Sequence, residues 1–188
     1  TVVQNDLTNF LSKHGGKIVG SVRVPLDASD YSSFLLQAQA SGANVVVVTP
    51  AGSAGVTAVK QAFEFGLPQQ GMKIASFFMM PDDVKALGLS TAQGLYFATA
   101  FVWDLNEKTK EFSERFLKLT GKKPNMNMAA TYSAVRHYIA AVDAAGTKDA
   151  DKVMAKMREM PVDDVFTHNG RLRIDGRMAH STFVVKVK

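Results

Sequence analysis

The sequence predicts an α/β fold on a mostly parallel sheet, and three observations lead there. Short β-branched or apolar runs, such as Val45-Val46-Val47-Val48, recur with amphipathic helical stretches between them. Glycine or small-residue stops punctuate the alternation, as at Gly15-Gly16, Ser41-Gly42 and Gly66. The intervals between strands hold one helix each, as right-handed βαβ crossovers require. Beyond Phe101 the alternation lapses into three helical stretches, and the last residues return to β.

Each element has its own signal. Val2, Val3, Leu7, Phe10 and Leu11 repeat at helical spacing and end at His14-Gly15-Gly16. Residues 17–24 read as a strand halted by Pro25. Ser29 or Asp30 caps a helix carrying Phe34, Leu35, Ala38 and Gln39. The tetravaline strand follows, then a helix from near Ser53 to Gly66, a strand at 73–78, a short helix at 81–87 and a strand at 94–100. Residues 104–120 form a polar amphipathic helix, capped by Asp104 or Asn106 and stopped at Gly121. A more apolar helix spans 128–145, and a third spans 149–160, ended by Pro161. Residues 171–174, the turn Asp175-Gly176 and residues 181–188 read as a β-hairpin or ribbon.

Composition narrows the function classes. With 188 residues, 46% apolar and 21% charged, the chain can bury an ordinary core. Lys and Arg number 22 against 17 Asp and Glu, a net charge of +5. These cations are scattered, with small clusters only at Lys122-Lys123 and 171–177, so no basic face for nucleic acid is expected. The chain has no cysteine, which removes disulfides, thiolate chemistry and Cys-ligated metals. No apolar run reaches the roughly 18–20 residues of a membrane span. The first residues read as the inside of a helix without an export signal, so the chain is expected to be a mature or truncated piece of something longer.

The stretch Thr49-Pro50-Ala51-Gly52-Ser53 is the first candidate site. It lacks the G-x-x-x-x-G-K-[ST] and G-x-G-x-x-G patterns of phosphate loops and the G-x-S-x-G of a nucleophile elbow. It is nonetheless a strand-to-helix turn at the carboxyl edge of a parallel sheet, where open α/β proteins hold ligands. Its small side chains admit a ligand to the backbone, and the helix-start amides favour an anion or polar oxygen. Phe77 and Phe78 end the third strand, and Phe101 and Trp103 follow the fourth. Aromatic strand ends beside a small polar loop describe an apolar cleft with a few donors.

No catalytic set accompanies these residues. His14, His137, His168 and His180 stand far apart without metal-ligand spacing. Asp82-Asp83 follows Pro81 at a helix start, where capping suits carboxylates. No acid–base pair, metal or cofactor is expected, and the chain is read as a binding protein, not an enzyme.

Further motifs carry a resemblance. Residues 30–43, from Asp30-Tyr31-Ser32-Ser33-Phe34 to Ser41-Gly42-Ala43, precede the valine strand, and Lys60-Gln61-Ala62-x-Glu64-Phe65-Gly66 follows it. Gly94-Leu95, Phe101-x-Trp103-Asp104-Leu105-Asn106, Tyr132-Ser133-Ala134-Val135, Asn169-Gly170-Arg171 and Asp175-Gly176-Arg177 continue the pattern. Together they resemble the carboxyl-terminal half of substrate-binding proteins of branched-chain amino-acid-type ABC transporters, which are type I periplasmic binding proteins with two α/β lobes.

The resemblance implies a three-layer parallel-sheet lobe from residues 1–101 and 162–188. Residues 102–161 would be a helical segment of the first lobe, and a β-hairpin lies near the carboxyl terminus. It implies a small-molecule ligand, a membrane permease as partner and an exported, periplasmic location. It also implies an apolar face on the first-lobe helices that is exposed here and invites dimerisation. In amino-acid-binding relatives the loop after the valine strand carries tyrosine, and the next strand end carries a glutamate for the ammonium. Ala51 and Phe78 occupy those places here, so an aromatic or other organic acid is expected rather than an α-amino acid. A shift of alignment by a few residues would bring Asp82 or Asp83 there instead. Asn127 aligns with a first-lobe position flanking the ligand. The alternatives are a ligand sensor of the same fold and, from another class, a flavodoxin-like or hydrolase-like enzyme.

Overall fold

In the computed structural model, which describes residues 2–25 and 27–188, the sheet is organised by its valine strand. Helices α1 (Val2–Lys13) and α2 (Ser32–Ala40) precede β1 (Val45–Val48). Then come α3 (Gly52–Glu64), a 3-10 turn (Pro68–Gln70), β2 (Lys73–Ser76), α4 (Pro81–Leu87), α5 (Leu89–Ala92) and β3 (Tyr96–Thr99). Helices α6 (Glu107–Thr120), α7 (Met126–Ala145) and α8 (Ala150–Glu159) follow in succession. The chain ends with β4 (Arg171–Leu172), β5 (Met178–Ala179) and β6 (Phe183–Lys186). Contacts group these into two compact units, Thr1–Ala98 with Val184–Lys188, and Thr99–Phe183. No helix of the described residues is long and apolar enough to cross a membrane.

The first unit holds the sheet, in the order β1-β2-β3-β6. β1 pairs with β2 in parallel, and β2 with β3 likewise, with α3 and then α4–α5 as the crossovers. A two-residue turn cannot join parallel strands, so helices that fold back are the economical solution. Helix α3 buries Gly55, Ala58, Val59 and Ala62, spaced to form one stripe, and this stripe joins Ile74, Leu67, Met79 and Leu95 in the core. Each such aliphatic side chain contributes about 1.5–3 kcal/mol when fully buried. At the start of α2, Asp30 accepts hydrogen bonds from the Ser32 hydroxyl and amide, which hold its carboxyl below the ordinary carboxylate range.

The second unit is built on three capped helices and a two-stranded ribbon. Asn106 caps α6, accepting from Thr109 N at 3.0 Å while the Thr109 hydroxyl accepts from Asn106 N at 3.0 Å. Asn125 Oδ1 accepts from Asn127 N and Met128 N at the start of α7, and Asp149 Oδ1 from Lys152 N at the start of α8. His137, buried on α7, hydrogen-bonds the Met157 carbonyl on α8 at 2.9 Å. Strands β4 and β5 pair antiparallel, with Arg171 opposite Ala179, across the turn at Asp175-Gly176.

The expected α/β class and parallel core hold, and three local expectations change. Residues 17–24 form no ladder, although β-branched residues fill them. Only Ile18 and Val24 are partly covered, so the segment lacks the buried face that turns β propensity into a strand. The cap of α6 is Asn106, not Asp104. Residues 183–186 do not pair with 171–174. They join the main sheet beside β3, where Gly94 N donates to Val187 O and Val187 N to Leu95 O, each at 2.9 Å. Val185 and Val187 pack there against the larger core, a burial that the short ribbon cannot offer.

Gly55 is the tightest joint of the first unit. A Cβ at this position would collide with the carbonyl oxygen of Pro50, which is backbone and cannot swing aside. Gly55→Ala is therefore expected to destabilise the protein by about 1–3 kcal/mol, as overpacking does, read as a lower urea midpoint at unchanged slope.

Candidate functional site

Register decides which loops become neighbours. Val48 lies opposite Ser76 and Ser76 opposite Phe97, so β1, β2 and β3 end at one edge of the sheet. Residues 49–53 and 77–80 leave β1 and β2 there side by side. In the first loop Thr49, Ala51, Gly52 and Ser53 are exposed and Pro50 is half-buried. Gly52 opens α3 with φ of +62°, a conformation costly to any residue with a side chain. Ala51 stands at the cap position and supplies no side-chain acceptor. The first-turn amides of α3 are thus left without a side-chain cap beside an open loop.

The second loop divides its apolar residues. Met79 is wholly buried in the core, while Phe78 is 42% exposed and Phe77 is half-buried. The buried Ser76 hydroxyl accepts from Phe78 N at 3.4 Å, turning the chain at the strand end. Asp83 Oδ2 accepts from Met80 N at 2.8 Å, so this carboxylate is engaged in capping α4. Asp82 lies 3.9 Å from Lys85 in an exposed pair one turn along the helix. Neither carboxylate is directed to the loop edge by a contact of its own.

The remaining predicted site residues belong to the second unit. Phe101 is 5% exposed and meets Phe112 edge-to-face at 6.0 Å between ring centroids, with Ala129 beneath. Its ring is committed to that core. Its amide and carbonyl both hydrogen-bond the Thr99 hydroxyl, which fixes the turn after β3. Trp103 packs on the same cluster, with Met126 of the first turn of α7 also against it. The Trp103 carbonyl accepts from Ser113 Oγ at 3.2 Å. Asn127 is exposed on that first turn, its amide taken by Asn125.

Sequence reasoning passed over Lys123. Its ammonium lies 2.8 Å from the centroid of the Trp103 ring, a cation–π contact. The only signal in the sequence was the Lys122-Lys123 pair, which reads equally as solvated charge. The four histidines have separate local partners: Phe10 O for His14, Met157 O for His137, Asp163 for His168 and Ser181 O for His180. Among the described residues no three His, Asp or Glu side chains gather as a metal site would need.

Comparison with known proteins places this geometry. The profile of the family described as Periplasmic binding protein matches residues 1–188. A branched-chain amino acid ABC transporter periplasmic ligand-binding protein from Burkholderia xenovorans LB400 is 42% identical, covering 96% of this chain and 50% of that one, at a TM-score of 0.86. A periplasmic binding protein from Burkholderia mallei is 41% identical over 98% of this chain and 49% of its own, at 0.89. A solute-binding protein of an ABC transporter from R. palustris, solved with 4-hydroxybenzoate, shares the fold at 22% identity, covering 98% and 52%, at 0.86. The chain therefore spans about half the length of these relatives. No curated protein matches it.

The engagement of Asp83 can be checked directly. Asp83→Ala is expected to cost about 0.5–2 kcal/mol as a lost cap, whereas Asp82→Ala stays within about 0.5 kcal/mol, both by chemical denaturation. Equal midpoints for the two variants would show the Asp83 carboxylate free for another role.

Proposed function

The chain belongs to the periplasmic binding protein family, and on that premise we propose that it is the carboxyl-terminal half of a non-enzymatic solute-binding protein of an ABC uptake transporter. Residues 1–101 and 162–188 would form the second lobe, and residues 102–161 would belong to the first. The ligand would sit against Thr49, Pro50, Ala51, Gly52 and Ser53, with Phe77 and Phe78 as further walls. The loaded protein would deliver its ligand to a membrane permease from the periplasm.

The ligand class we favour is an aromatic or other small organic acid. The observation that carries this is the exposed Phe78 beside an uncapped small-residue loop, at an edge where Asp83 is taken by a helix cap. A buried ammonium without a carboxylate partner costs several kcal/mol, so an α-amino acid is poorly served there. A flat ring meets Phe78 well, and helix-start amides favour an anion. Relatives of this fold include both a branched-chain amino-acid transport protein and a 4-hydroxybenzoate complex, so side chains and not the fold must decide the ligand.

The lobe assignment is supported by α7. Its buried side carries Ala129, Ser133, His137 and Ala141. Its other side lines an open groove of about 460 Å³ with Thr131, Tyr132, Val135, Arg136 and Ile139. Val135 and Ile139 are 53% and 54% exposed, an apolar stripe that suits an interface more than solvent. The rest of the first lobe would cover it in the longer protein.

Two outcomes follow. In a thermal-shift screen of the full-length protein, benzoate or 4-hydroxybenzoate at about a hundred times its Kd should add about 2.7 kcal/mol and raise Tm by several degrees, with leucine and valine giving no shift. A shift with leucine and none with either acid would overturn the ligand class. Expressed as these 188 residues alone, the chain should self-associate in sedimentation, and Val135→Glu with Ile139→Glu should return it to monomer.

A further inference from the structure

The ribbon of the second unit gathers cations that the fold itself does not use. Strands β4 and β5 pair Arg171 with Ala179 and Leu172 with Met178, and Arg173 N donates to Arg177 O at 2.9 Å beside the turn. Cross-strand partners share a face, and successive residues alternate between faces. Leu172 and Met178 are half-buried, with the Met178 sulfur beside Gly170, so they mark the inner face. Arg171, Arg173 and Arg177 therefore share the outer one, and all three are exposed. Arg158 of α8 reaches the same turn, its Nη2 3.5 Å from the Ile174 carbonyl oxygen.

One carboxylate answers these guanidinium groups. Asp175 accepts from the Arg177 amide, which holds its carboxyl below the ordinary carboxylate range, and it pairs with Arg173 at 2.7 Å. Among the described residues, Arg158, Arg171 and Arg177 have no carboxylate within ion-pair distance. Arg177 also stands opposite Arg173, and like charges so placed destabilise a ribbon. A turn serving stability alone would carry an acid or a neutral residue there. Ile174, 81% exposed at the tip, adds an apolar side chain that the fold leaves in solvent.

A planar guanidinium meets a carboxylate with two parallel hydrogen bonds, so a face of arginines suits the side chains of Asp and Glu. The patch is one short hairpin wide, less than a nucleic-acid module covers, and the remaining cations are scattered. A single isoleucine gives too little apolar depth to seat the hairpin in a lipid surface. We propose that residues 171–179 form a docking element for an acidic protein surface: Arg171, Arg173 and Arg177 take its carboxylates, and Ile174 packs beside them. This surface lies within the second unit alone and is independent of which ligand the protein carries.

Fluorescence anisotropy of a labelled octaglutamate peptide, titrated with the full-length protein at low salt where screening is weak, tests it. The unmodified protein should bind. Arg171→Gln combined with Arg177→Gln should weaken binding about 10-fold or more, since two charge-assisted contacts are lost. Lys13→Gln combined with Lys110→Gln removes the same charge from exposed positions elsewhere and should weaken it less than about 3-fold. The arginine variant should also unfold at the same or a higher urea midpoint, because it loses no ion pair and relieves the facing charges. No binding of the peptide, or an equal loss in both variants, would overturn the proposal. A lower urea midpoint would overturn it too, by making the two arginines structural. Arginine-dependent binding to phosphatidylglycerol vesicles, with none to the peptide, would assign the hairpin to a membrane surface instead.

Discussion

Parallel pairing among β1, β2 and β3 is the constraint on which the candidate site depends. With Val48 opposite Ser76 and Ser76 opposite Phe97, three strand ends must share one edge. The helical crossovers enforce that sense, because α3 and α4–α5 carry the chain back before the next strand begins. A one-residue slip would exchange the buried and open sides of a strand. It would put Phe77 where Phe78 now meets solvent and draw Met79 from the core it fills. The packing of Met79 and the exposure of Phe78 are therefore two consequences of one register.

Electrostatics contributes mainly locally. The pairs Lys60–Glu64, Lys85–Asp82 and Lys156–Glu159 each join residues one helical turn apart on exposed surface, where such pairs contribute at most about 1 kcal/mol. Stability comes instead from the two apolar clusters, one under the sheet and one around Phe101 and Phe112. Two lysines have rings as partners: Lys123 lies over Trp103 and Lys186 over Tyr96.

Much of this fold was legible because its signals are local. Asn106, Asp149 and the glycines after α6 and α7 mark helix ends by chemistry that acts within four residues. The bounds of α4 follow from Pro81 and Gly88 alone. What escaped depends on distant partners. Residues 17–24 have the composition of a strand and no ladder, while residues 183–186 look like half of a hairpin and complete a sheet beside β3, a strand that begins 87 residues earlier (183 − 96). The same divide runs through the candidate residues. That the small loop and Phe78 lie at strand ends could be read locally. The commitment of the Phe101 ring to a core, and the seating of Lys123 on Trp103, arise from residues that meet only on folding.

The route of the chain through the sheet also sets a timetable for its making. Strands β1, β2 and β3 have all been synthesised by Thr99, but their neighbour β6 begins only at Phe183. At ribosomal rates the edge of β3 waits roughly 5–15 seconds for that partner, while the helices of the second unit emerge and close on themselves. The amide of Gly94 and the carbonyl of Leu95, later bonded to Val187, stay open throughout. The nascent protein thus passes through a stage in which its later-made unit is finished before its earlier-made one. Chaperones would act on that unfinished border.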